Sequence, residues 1–114
     1  MPHLRILTNK SLSEYKTEET IKKASSIVAE MLQKDESSVM VTIQDKEKMS
    51  FGGTTDYTAY LHLESIGFKE SPNTLAGKLC DFAENQMGIS QDRVYVNFED
   101  LNRELYGWNG KTFG

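Results

Sequence analysis

Val94-Tyr95-Val96, inside Arg93–Phe98 (RVYVNF), falls on Val39-Met40-Val41, inside Ser38–Gln44 (SVMVTIQ), when the chain is shifted by 55 residues, the difference between 94 and 39. Both runs are rich in β-branched residues and alternate in character, which predicts strands. The same shift lays His3–Thr8 (HLRILT) on Thr58–Leu63 and Asp45 on Asp100. His3–Thr8 reads as a strand at the start of the chain, and Thr58–Ser65 (TAYLHLES) as another.

Each pair of strands brackets a helical pattern. Ile21, Ala24, Val28, Met31 and Leu32 recur with helical spacing and predict a helix over about residues 14–33, with Ser11–Glu14 offering a capping box. Leu75, Leu79, Phe82, Ala83 and Met87 form a second stripe. Ser71-Pro72-Asn73 suits its start and Gly88 its end. Asp45–Met49 is a polar connection, within which Asp45-Lys46-Glu47-Lys48 reads as a solvated loop. Phe51-Gly52-Gly53-Thr54-Thr55-Asp56 is a turn, because paired glycines permit positive φ. Trp108–Phe113 reads as a turn with short strand segments.

The order β-α-β, repeated, predicts one α+β domain over residues 1–114. It should hold a four-stranded mixed sheet with both helices on one face, the side that right-handed crossovers favour. Leu4, Ile6, Tyr60, His62, Met40 and Thr42 each alternate with residues of the opposite face, and apolar residues occur in both sets. No segment remains to cover the second face, so association through the sheets is expected.

The totals narrow the function. The chain has 114 residues, 38% of them hydrophobic, and a net charge of −4. Its pI is near 5.2 and its mean hydropathy −0.53. Nucleic-acid binding would want a basic face, and no basic run exists. No run of apolar residues could span a membrane, and no signal-peptide pattern is visible. The expected location is cytoplasmic, with leaderless export compatible with the same sequence. Cys80 is the only cysteine, so no intrachain disulfide and no paired-cysteine motif is possible; its helical setting predicts a buried structural thiol. The two histidines, His3 and His62, fall in strands, without a spacing that signals zinc.

Pro2 follows Met1 directly. Trimming of Met1 is the expected fate before a small residue, and it would leave Pro2 with a free secondary amine. An α-amino group titrates near pH ~7.7–8.0, so modest burial brings it into the neutral range as a base.

Five segments share a pattern: Met1-Pro2, Met49–Thr55 (MSFGGTT), Ser65-Ile66-Gly67, Asp92–Asn97 (DRVYVN) and Gly107–Phe113 (GWNGKTF). On them, and across its whole length, the chain resembles the macrophage migration inhibitory factor family of the tautomerase superfamily. The resemblance implies two βαβ units per subunit and a homotrimer whose sheets line a central barrel, with an active site at each subunit interface. It implies keto–enol tautomerisation of aromatic α-keto acids such as phenylpyruvate, with no metal or organic cofactor. Pro2 matches the catalytic proline. Lys34, placed 17 residues before Phe51, matches the lysine that pairs with the substrate carboxylate. Ile66 matches the position whose backbone amide binds substrate. Tyr95 and Asn97 match the pair supplied by the neighbouring subunit. Tyr106 and Phe113 match pocket-lining positions, with Trp108 near the rim.

The chain also departs from that pattern. Thr58-Ala59-Tyr60-Leu61 stands where the vertebrate cytokine has Cys-x-x-Cys, so thiol-oxidoreductase activity is not expected. Two tyrosines of the family's pocket mouth are Glu99 and Ser38 here, and a small aliphatic wall residue is Tyr106. A more acidic mouth and a bulkier wall follow. The competing expectation is a secreted, cytokine-like interaction protein acting on host or immune receptors. Receptor binding that persists after Pro2 is disabled would distinguish it from the enzyme.

Overall fold

The computed structural model describes residues 1–114. Strand β1 (His3–Thr8) leads into helix α1 (Glu14–Leu32), then a single 3-10 turn at Glu36–Ser38 and strand β2 (Met40–Gln44). Strand β3 (Ala59–Ser65), helix α2 (Pro72–Met87), a turn at Gln91–Arg93 and strand β4 (Val94–Asp100) repeat the plan. A hairpin of β5 (Gly107–Trp108) and β6 (Lys111–Thr112) ends the chain. The sheet order is β2-β1-β3-β4; β2 lies parallel to β1, and β4 parallel to β3, while β1 and β3 run antiparallel at the centre. The chain is therefore an α+β protein built on two βαβ units, as the repeat predicts.

The 55-residue shift preserves the two faces of the sheet. Leu4, Ile6 and Thr8 are buried toward the helices, and so are their counterparts Ala59, Leu61 and Leu63. The two parallel ladders differ by two residues in register: Met40 lies 37 positions after its partner His3, whereas Val94 lies 35 after Ala59. A slip of two keeps every side chain on its own face, so the repeat survives it.

Each helix starts and stops for local reasons. Ser13, not Ser11, caps α1: its side chain accepts from Lys16 N–H. The Ser11–Glu14 box does not form because Glu14 already occupies the first helical position. Ser71 caps α2 ahead of Pro72, and Gly88 ends it at φ 68°, a left-handed position that favours glycine. Lys10 Nζ donates to the Met87 carbonyl at 2.6 Å, a cation at the negative end of α2.

The apolar stripes of both helices close over one sheet face to form a cluster of 17 buried residues. Leu61 sits fully buried at its centre, and truncating it to Ala would cost about 2–5 kcal/mol. Polar groups taken inside are paired, Ser65 excepted. Gln86 donates to Thr20 Oγ1 at 3.1 Å and to Glu19 at 3.0 Å, joining the helices. Thr8 Oγ1 donates to Thr58 O at 2.8 Å.

Three sequence expectations need correction. Leu4 and Ile6 lie on the helix-covered face, whereas Met40, Thr42, Tyr60 and His62 lie on the open face. That open face is also largely polar, carrying His3, Arg5, Glu64, Asn97 and Glu99. Cys80 is half-buried at the edge of the core, not enclosed. Asp45 is more than a solvated loop residue: its carboxylate accepts from Leu12 N–H at 2.9 Å and fixes the entry to α1.

Candidate active site at the amino terminus

Met40 N–H donates to Pro2 O at 3.0 Å, which seats the chain start between its neighbours. On the other side, the β1–β3 register ends at His3↔Glu64, which brings the chain start to the Ser65 end of β3. Pro2 is buried and Met1 half-buried.

Lys34 arrives from below. Gln33 ends α1 in the left-handed region at φ 54°, and Lys34 N–H donates back to Ala29 O at 3.0 Å. This fixed turn aims the side chain at the loop after β3, where Nζ donates to Ile66 O at 3.1 Å. The Ile66 N–H has no acceptor within the chain. Gly67, at φ 79°, turns the loop away, and its N–H donates to Asp100 Oδ1 at 2.9 Å.

The amino group, Lys34 and Ile66 thus share one small volume. Burial, and then the Lys34 charge and its hydrogen bonding, hold the Met1 amine below its ordinary pKa. Ser65, beside Pro2, has the one buried side-chain oxygen without a hydrogen-bond partner.

Tyr106 and Phe113 stack, with ring centroids 6.2 Å apart and planes at 20°. Phe113 N–H donates to Tyr106 O at 3.1 Å, so the terminal hairpin holds the two rings together. Burial first, then the Glu64 charge, pushes the Tyr106 phenol up. The chain reaches this hairpin from the Asp100 end of β4, which pairs with Ser65, and Leu101 N–H donates to Ser65 O at 2.8 Å, so the segment starts at the Pro2 end of the sheet. Trp108 is exposed on β5.

Tyr95 and Asn97 stand elsewhere. Tyr95 aligns with Tyr60, and Tyr60 with Leu7, five residues along β1 from Pro2 and so roughly 17 Å down the strand at 3.3–3.4 Å per residue. Both side chains project from the open face of the edge strand β4, where Asn97 donates to the Tyr60 hydroxyl at 3.1 Å. One chain therefore gathers Pro2, Lys34, Ile66, Tyr106 and Phe113 toward one end and leaves Tyr95 and Asn97 at a distance. No deep pocket forms around the amino terminus in the single chain. The largest concavity, about 450 Å³, lies over the outer surfaces of the helices at Ile27, Met31 and Lys78.

Sequence reasoning missed Arg93. Its guanidinium donates to the carbonyls of Tyr57 (2.9 Å), Phe51 (3.2 Å) and Asp56 (3.1 Å), with Thr54 O at 3.5 Å. It thereby clamps the Gly52-Gly53 turn, and the Phe51 ring of that turn packs on Tyr95 with centroids 5.0 Å apart. Of the rim departures, Ser38 Oγ donates to Asp35 O at 2.8 Å, and Glu99 meets His62 at 3.1 Å.

Two βαβ units with an amine, a lysine and a free backbone amide converging at the chain start define a small α+β protein of the tautomerase superfamily. Residues 1–114 match the family profile described as Macrophage migration inhibitory factor (MIF). The chain is 39% identical over 89 residues to the macrophage migration inhibitory factor of Xenopus tropicalis, covering 76% of this chain and 77% of that one. It is 34% identical to the homologue of Trichinella spiralis over 115 residues, 99% of this chain and 100% of that one. The solved homologue from Prochlorococcus marinus superposes with a TM-score of 0.89 at 34% identity, covering 98% and 99% of the two chains. The chain belongs to the macrophage migration inhibitory factor family, whose roles include tautomerase and cytokine-like activities.

Proposed function

We propose that this protein is a keto–enol tautomerase for aromatic α-keto acids of the phenylpyruvate type, with Pro2, freed by removal of Met1, as the general base. The observation that carries this reading is the shared position of the amino group, Lys34 and Ile66. Removing Met1 moves the amine one residue inward, from a half-buried to a buried position. Desolvation of its charged form then deepens, which favours the neutral amine that a base requires.

In the reaction, Pro2 nitrogen takes a proton from the carbon next to the carbonyl, the C–H pair forms the C=C bond as the C=O π pair moves onto oxygen, and Pro2 hands the proton it took to that oxygen. This transfer completes an isomerisation with no net change in atoms or electrons. Lys34 Nζ spends one of its three donor directions on Ile66 O and keeps two for the substrate carboxylate. Ile66 N–H is oriented and free to add a second donor. Tyr106 and Phe113 supply an aromatic wall. Tyr95 and Asn97, too distant within one chain, serve the site of a neighbouring copy, so residues 1–114 act as one domain within a homotrimer whose interfaces complete three sites. No cofactor takes part.

The reading is tested by following phenylpyruvate tautomerisation with Pro2-started protein and with Pro2→Gly. The variant keeps a terminal amine but loses the secondary amine and its fixed ring, and kcat should fall by at least about tenfold. Equal activity would sink the role of Pro2. Inactivity of both forms, with receptor binding retained, would move the function to the cytokine-like reading.

A further inference from the structure

On the open face of the sheet, His62, Glu64 and Glu99 bring one nitrogen and two carboxylate oxygens within 4.8 Å of one another. We propose that this cluster, beside the amino-terminal site, is a binding site for a divalent transition-metal ion of the zinc class.

The cluster is made by register. Glu64 and Glu99 lie directly opposite each other across the β3–β4 ladder, and His62 precedes Glu64 by two, on the same face. Two carboxylates set opposite each other in a sheet repel. Glu64 is 21% exposed and Glu99 54%, so water screens that repulsion only in part. Both carboxylates meet imidazoles, Glu99 with His62 Nε2 at 3.1 Å and Glu64 with His3 Nδ1 at 3.4 Å. Arg5 aligns with His62 on the neighbouring strand, yet pairs with neither carboxylate. A divalent ion between the two glutamates and His62 would balance their charge fully.

The donors are also braced from outside. His3, which backs Glu64, is held by its other nitrogen against Thr42 Oγ1 at 2.8 Å. The His62 ring lies nearly parallel to Tyr60, with planes at 15° and centroids 6.5 Å apart. Such backing orients ligands and commonly changes metal affinity 10–100-fold. Imidazole with two carboxylates suits zinc and its first-row neighbours over calcium or magnesium, and three protein ligands leave a position for water. Sequence spacing did not show this site because its third ligand comes from another strand.

The test is calorimetric titration of Zn²⁺ into tag-free, chelator-stripped protein, alongside E99Q, H62Q and C80S. Visible absorption of added Co²⁺ reports the ligand set. Glu99 is more than half exposed at 54%, so E99Q should keep the fold, as circular dichroism would show. One ion per chain is expected, with affinity reduced at least about tenfold in E99Q and unchanged in C80S. Absence of saturable binding, binding that E99Q leaves unchanged, or binding lost only in C80S would each overturn the proposal.

Discussion

Lys34 Nζ donates to Ile66 O at 3.1 Å, tying the end of α1 to the loop that leaves β3. The bond fixes a cation beside the chain's amino group and holds the loop whose Ile66 N–H has no acceptor within the chain. Replacing Lys34 by Ala should raise KM for carboxylate substrates most and lower kcat/KM by about 10- to 100-fold, the range of a charge-assisted hydrogen bond. Equal loss with a substrate lacking a carboxylate would assign Lys34 a structural role.

The same variant should move the pH profile. The neutral amine is the base, so activity on the acid side rises with pH through the amine's pKa. Burial and Lys34 both lower the pKa of the Met1 amine, and the Pro2 nitrogen lies one residue further in, where the same two causes act. Removing the Lys34 charge should therefore raise it and shift the acid limb of kcat/KM to higher pH, while burial keeps it below the ordinary range. An unmoved or acid-shifted limb would contradict the electrostatic coupling.

Arg93→Ala removes the donor to the carbonyls of Phe51, Asp56 and Tyr57. At this partly exposed position the loss should be about 1–2 kcal/mol, a fall in Tm of several degrees. Because Phe51 packs on Tyr95, tautomerase activity should fall as well. Arg93→Lys should recover little, since an ammonium lacks the guanidinium fork. Thermal melts beside assays check both effects.

Ser65→Ala deletes the one buried hydroxyl oxygen without a partner. Stability should stay level or rise by up to about 1 kcal/mol, because an unpaired buried polar group is removed. A loss beyond about 1 kcal/mol in denaturant unfolding would show that the hydroxyl is paired in the mature protein.

The sequence made the fold legible because the two βαβ units repeat with their face parity intact, so Leu4, Ile6 and Leu61 could be placed in strands before any coordinates. Helix α2 was readable to its ends because Ser71, Pro72 and Gly88 each have a local physical reason to be there. The start of α1 was less so, since Ser11 and Ser13 are chemically alike and only the backbone chooses between them. The site was legible chiefly through the family resemblance. Composition could not show that Lys34 reaches Ile66, a contact across 32 positions. Nor could it show the Arg93 clamp or the His62–Glu64–Glu99 cluster, because both depend on which residues the sheet sets side by side.

The central claim is that a free Pro2 nitrogen is the base. Its most direct test compares phenylpyruvate tautomerisation by two preparations of identical sequence, one starting at Pro2 and one retaining Met1, each confirmed by intact mass. Retained Met1 makes the Pro2 nitrogen an amide, which cannot accept the proton. Activity confined to the Pro2-started form is the predicted result. Equal activity in both forms would contradict the account.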